Sequence, residues 1–178
     1  ADSPLDRGRC WTPGLTHLPA SGPSLPLNPA SSDIGRATSG EFSLIDRFFT
    51  GLDQGPAVAL GVGDDAALLT LTAGEHLACS SDTMVADVHF PADAPADLIA
   101  YRALAAAVSD LAAMGARPLG CLLSLVMPEA KESWLTDLRR GLGEATAAFS
   151  LPLVGGDLTR GPLTLTVQVL GGLAGGRA

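Results

Sequence analysis

At 178 residues, 47% of them apolar, the chain is long enough for one good core and too apolar to be disordered throughout. Nineteen acidic against 11 basic residues give a net charge of −8, which disfavours contact with nucleic-acid phosphates. Three widely spaced cysteines, Cys10, Cys79 and Cys121, make neither a disulfide framework nor a zinc spacing, and no apolar run reaches the ~20 residues that span a bilayer; a reducing cytoplasm is the default location.

Residues 1–39 hold six of the 13 prolines, many Ser and Gly, and no hydrophobic period. They are expected to form a disordered extension without the apolar core of a secretion signal, in which Trp11 sits idle rather than anchoring a partner. Order is expected from Gly40, with Phe42, Ile45 and Phe49 at helical spacing up to about residue 50. Asp53-Gln54-Gly55-Pro56 breaks that helix, and strands follow at 57–62, 66–71 and 76–80. A long helix is expected over Ala96–Met114, closed by Gly115, with Tyr101, Leu104, Val108 and Leu111 as its core stripe. A strand at 119–126 leads to a second helix over 130–149, with Trp134, Leu138, Leu142 and Ala145 on one face. The last strands lie at 151–154 and 163–170, where Leu163, Leu165, Val167 and Val169 alternate with Thr164, Thr166 and Gln168. The sum is an α+β domain, a mixed sheet flanked by helices, over 40–174, with 175–178 as the start of a linker.

Four acidic motifs sit on small or apolar sequence: Gly61-Val62-Gly63-Asp64-Asp65, Ser80-Ser81-Asp82-Thr83, Ser109-Asp110 and Gly155-Gly156-Asp157. A carboxylate buried without a partner is costly, and a hard, oxygen-seeking cation such as Mg²⁺ with phosphates is one remedy. Asp110 has only Ala106, Ala107, Ala113 and Met114 three and four residues away, so its helix offers no ion pair; it is either a buried carboxylate awaiting a ligand or a wet residue on a fraying end. Asp64-Asp65 also fits an ordinary hairpin turn, Ser80–Thr83 a cap, and Gly155–Asp157 a turn after its strand. His89, beside Phe90 and Pro91, reads by itself as a structural loop residue. No Ser/His/Asp arrangement, cysteine nucleophile or Walker sequence is present.

In order and spacing these motifs resemble the N-terminal half of the bacterial thiamine-monophosphate kinases. Those belong to the superfamily of aminoimidazole ribonucleotide synthetase, selenophosphate synthetase and HypE. The likeness rests on Gly40–Ile45, Gly61–Ala66, Ser81–Thr83 through His89-Phe90, Ser109–Ala116 and Gly155–Gly161, and runs from about residue 40 to the end. It implies the synthetase-like N-terminal fold, with a barrel completed by dimerisation. It also implies Mg²⁺ ions held by Asp65, Asp82, Asp110 and Asp157 with help from Ser80 and Ser81. Gly156 and Asp157 would meet ATP, His89 would contact thiamine monophosphate, and Asp64 is the less favoured member of its pair.

The implied reaction is direct in-line transfer that makes thiamine diphosphate. A phosphomonoester ionises with a second pKa of about 6, so no side chain need act as acid or base. The family's second-half signatures, Ser-Asp-Gly-Leu and Gly-Gly-Glu-Asp-Tyr, do not occur in this sequence. The chain therefore reads as truncated, able to dimerise but nearly inactive alone. The rivals are another member of the superfamily, of the selenophosphate synthetase or HypE kind, and a non-catalytic dimerisation or docking module.

Overall fold

Alternation in three apolar strands and one unusual polar strand builds the sheet on which everything else rests. The structure, a computed structural model, describes residues 40–175, and for Glu41 and Phe42 the backbone only. The expected extension over 1–39, with Trp11 and Cys10, and the final linker residues lie outside the described residues.

The elements in chain order are α1 (Glu41–Phe48), β1 (Val58–Leu60), β2 (Leu68–Leu69), β3 (Glu75–Val85), α2 (Ala96–Met114), β4 (Arg117–Met127), α3 (Glu132–Phe149), β5 (Leu153–Arg160) and β6 (Thr164–Ala174). The last four strands form one sheet in the order β3-β6-β4-β5, while β1 and β2 make a small antiparallel pair. β6 runs antiparallel to both β3 and β4, and β4 runs parallel to β5, so the sheet is mixed.

Both long helices pack on one face. Leu165, Val167 and Val169 of β6 and Cys121, Leu123 and Leu125 of β4 are buried beneath them. The stripe of α2 that meets the sheet is Ile99, Ala100, Ala103, Leu104, Ala107 and Leu111. Tyr101, expected in that stripe, is instead on the outside, its ring tilted 56° against that of Phe149 with centroids 5.3 Å apart. In α3 the core position is taken by Leu135 rather than Trp134, which is only half-buried. The small alanines of α2 let the helices approach closely, and Arg140 of α3 bridges Asp97 of α2 at 2.6 Å. That guanidinium holds the Asp97 carboxyl below its ordinary range. Helix α2 ends as its sequence predicts: Gly115 is left-handed, with φ 66°, and donates back to Ala112.

All four strands of the large sheet run further than expected. β3 continues past Ser80 through Ser81–Thr83, and β5 includes Gly155–Asp157 instead of turning there. Ser, Asp and Gly are poor strand formers in isolation, but β3 has a full-length antiparallel partner in the strongly alternating β6, and packing overrides propensity. The expected strand at 66–71 shrinks to two residues.

Cys121, buried in the sheet, has its thiol pushed up to about 12 by desolvation, whereas Cys79 is exposed. Iodoacetamide at pH 8 is expected to label Cys79 within minutes and Cys121 only after denaturant unfolds the sheet. Peptide mass mapping checks this, and equal labelling of the two in the folded chain contradicts the packing described.

Candidate active site

The register of the sheet decides which predicted residues can meet. One row across it reads Asp82, Val167, Leu123, Gly156, and the next reads Thr83, Thr166, Ser124, Asp157. Successive residues of a strand point to opposite faces, so the first row faces the helices and the second faces away. Val167 and Leu123 are buried under the helices, which fixes the sense.

On the helix side, Ser80 and Asp82 lie on the face of β3 that α2 partly covers. Ser80 Oγ donates to Asp110 Oδ2 at 2.5 Å, joining two motifs 30 residues apart. Asp110 is exposed, the second of the two readings its sequence allowed, and no charged or polar side chain is buried among the described residues. The desolvation argument for a ligand at Asp110 therefore falls. What replaces it is convergence: a hydroxyl and a carboxylate from two elements, with a second carboxylate, Asp82, next along the same face.

On the open side, a hollow of about 660 Å³ lies between the segment 62–69 and the outer face of β4, β5 and β6. Asp64, Asp65, Gly155, Gly156 and Asp157 line it, with Ser124 and Gln168 on its floor, and among the described residues no Lys, Arg or His is in its wall. Asp64 Oδ1 accepts from the Asp65 backbone N–H at 2.8 Å, so Asp64 is occupied locally and Asp65 is the freer carboxylate. Asp157 Oδ2 accepts from Thr159 Oγ1 at 2.9 Å. Ser81 shares a row with Gln168, Leu122 and Gly155, at the β3 end of this face. The structure thus gathers the predicted residues into two groups, Ser80/Asp82/Asp110 and Asp65/Gly156/Asp157, with the sheet between them and Ser81 on the second side.

His89 follows β3 in a tight loop where Asp87 takes φ 62°. Its Nδ1 accepts from the Val85 N–H at 3.0 Å, and its carbonyl accepts from Arg102 at 2.9 Å. Nδ1 is thus engaged by the backbone, and Nε2 is the ring nitrogen left for another partner. Sequence reasoning missed the polar row itself: Thr83 and Thr166 share a hydrogen bond of 2.9 Å beside Ser124 and Asp157. The Thr164–Gln168 alternation was visible, but nothing local says which neighbours a strand's polar face will have.

Every donor in both groups is a carboxylate or hydroxyl oxygen, the set a hard cation takes. Among the described residues no three His, Cys, Asp or Glu side chains come together closely enough to hold a metal ion. Mg²⁺ is commonly held by one or two carboxylates plus substrate phosphates, not by an all-protein cage. The residues fit that shared arrangement: the hollow is mostly apolar, and the charge it carries, at Asp64, Asp65 and Asp157, is negative, so a phosphate would meet it through a metal.

Fold and site together define a synthetase-type domain, and residues 63–173 match the family of the AIR synthase related protein, N-terminal domain; the chain belongs to that family. Its relatives are more particular than the family. The thiamine-monophosphate kinase of Escherichia coli (strain K12) is 47% identical over 141 residues, 78% of this chain and 43% of that protein. The crystal structure of thiamine-monophosphate kinase from Stenotrophomonas maltophilia K279a, 44% identical, superposes with a TM-score of 0.67 over 76% of this chain and 43% of its own. AaThiL complexed with AMPPCP and TMP, 27% identical, gives a TM-score of 0.55 over 75% of this chain and 42% of its own. The chain therefore spans less than half the length of the relatives it matches.

Proposed function

We propose that the chain is the nucleotide- and metal-binding half of an ATP-dependent thiamine-monophosphate kinase. On the helix side Ser80, Asp82 and Asp110, and on the open side Ser81, Asp65 and Asp157, would hold Mg²⁺ against ATP phosphates, and Gly156 would lie against the nucleotide. The observation that carries the reading is the Ser80–Asp110 contact, which brings two separate oxygen-donor motifs of the family to one place. Mg²⁺ held there would supply neutralisation of phosphate charge. The chain's own residues supply position: β3 and α2 hold Ser80, Asp82 and Asp110, while β5 holds Asp157 beside a backbone stripped of side chains at Gly155 and Gly156. His89, with Nδ1 held by the Val85 amide, would present Nε2 to a thiamine monophosphate oxygen near the end of β3. The acceptor oxygen is already ionised near neutral pH, so alignment suffices and no catalytic base is needed.

A homodimer in the cytoplasm completes the reading. Its support is the outer face of β3 and β6, polar at Ser81, Thr83 and Thr166 but carrying a half-exposed Leu77, which a second copy's sheet would cover into a barrel. No helix among the described residues is long and apolar enough to cross a membrane.

Calorimetric titration of the full chain with Mg-ATP and with thiamine monophosphate tests this. Both are expected to bind, and Asp110→Asn is expected to weaken Mg-ATP by about tenfold or more, the scale of one charge-assisted bond, with an unchanged melting temperature because the residue is exposed. Heat from neither ligand would favour the docking module.

A further inference from the structure

The wall of the hollow that carries Asp64 and Asp65 has almost no regular structure to hold it. β1 and β2 on either side of it are three and two residues long, and Gly63 adds a φ of 121°. Two bonds from one short segment tie the wall to β5 instead. Leu52 O accepts from the N–H of Leu153, at the start of β5. The next residue, Asp53, accepts the Val62 N–H on Oδ2 at 3.2 Å, inside the acidic motif. Gly61 leaves the room for this. A Cβ there would stand 2.0 Å from Asp53 Oδ2 and 2.8 Å from Asp53 Cβ, so no side chain fits between motif and tether.

We propose that Asp53 is a positioning residue: its carboxylate ties the Gly61–Asp65 segment to the segment anchored on β5, and so sets the distance between Asp65 and Asp157 across the hollow. The proposal rests on the reading of that hollow as the site of metal-bound phosphate. Asp53 itself touches no substrate. It acts through the Val62 amide, and the carboxylate is spent on that bond and on a weaker one from Gln54 Nε2 at 3.3 Å. The chemistry it demands is an acceptor oxygen, not a charge, so asparagine should serve where alanine does not.

The test uses the full chain and two readouts. Amide hydrogen exchange at Val62 is expected to speed up about tenfold in Asp53→Ala and to return close to the parent rate in Asp53→Asn, since one hydrogen bond is at stake. Mg-ATP binding by calorimetry is expected to weaken by about the same factor in Asp53→Ala and to recover in Asp53→Asn, while the global melting temperature moves little. Gly61→Ala is expected to reproduce the Asp53→Ala loss by forcing the carboxylate aside, and Asp53→Ala/Gly61→Ala to be no worse than either single change. Equal Val62 exchange in the parent and Asp53→Ala overturns the tether. Faster exchange with undiminished Mg-ATP binding overturns its role in positioning. If the parent chain itself binds no Mg-ATP, the reading of the hollow fails and the positioning role fails with it, while exchange at Val62 still decides whether the tether exists.

Discussion

Gly141→Ala is expected to lower the melting temperature by about 10 °C, the largest effect of any single methyl group added to the helix layer. Gly141 is where α3 crosses the first turn of α2, and a Cβ at that position would stand 2.1 Å from the Asp97 carbonyl oxygen and 2.6 Å from its Cα. Those are backbone atoms, so no rotamer change relieves the clash and the helices must part. Overpacking typically costs about 1–3 kcal/mol, and a clash with backbone belongs at the upper end; a domain of this size loses roughly 3–4 °C per kcal/mol. Separation would also pull Arg140 from Asp97, removing the ion pair that ties the same turn. The control is two residues away on the same helix. At Gly143 the nearest atom to an added Cβ is Leu52 Cδ2 at 3.6 Å, an ordinary contact. Gly143→Ala is therefore expected to raise stability by about 0.5–1 kcal/mol through helix propensity. Thermal unfolding of the two variants checks the pair, and a Gly141→Ala protein melting like the parent would show that α2 and α3 do not cross at that distance.

Gly141 also marks what the sequence cannot convey. The period of α3 was legible, and so was the stop of α2 at Gly115, because both are properties of neighbouring residues. The stripe of each helix was displaced in part: Tyr101 lies outside and Leu135 replaces Trp134 in the core, since which flank of an apolar arc turns inward depends on the partner helix. Strands β4 and β6 were legible for the same local reason. The ends of β3 and β5 were not, because Ser-Ser-Asp and Gly-Gly-Asp carry turn chemistry that only a long ladder overrules.

For the site the limit is sharper. Each acidic motif could be picked out by composition, yet composition left open whether Asp110 is buried or wet, and its partner Ser80 sits on another element. The face each carboxylate takes follows from strand register, a long-range quantity. A shift of one residue in β5 would send the Asp157 side chain to the helix side, away from the hollow. Asp53, read as part of a helix-breaking turn, is invisible until Val62 folds back onto it.

That register gives the second large expectation. Gly156→Ala should destabilise the domain about as strongly as Gly141→Ala and should also weaken Mg-ATP binding. Gly156 faces Leu123 across the parallel β4–β5 ladder, and an added Cβ would stand 1.9 Å from the Leu123 carbonyl oxygen and 2.7 Å from its carbon. Its φ of +156° adds a conformation that side chains rarely adopt. Relief requires β5 to move away from β4 at the row beside Ser124 and Asp157, so the wall of the hollow shifts with the strand. Two further substitutions separate the consequences. Gly155→Ala meets only the flexible Leu122 side chain, at 3.2 Å, and should melt within a few degrees of the parent. Asp157→Asn leaves the ladder untouched and should lose Mg-ATP affinity by about tenfold or more with little change in melting temperature, because only a charge-assisted interaction is removed. The discriminating measurement is calorimetry alongside thermal unfolding. Binding lost in Gly156→Ala but kept in Asp157→Asn would mean that strand position matters and that carboxylate does not. Binding kept in both would move the nucleotide away from β5, leaving Ser80, Asp82 and Asp110 to hold the metal on the opposite face.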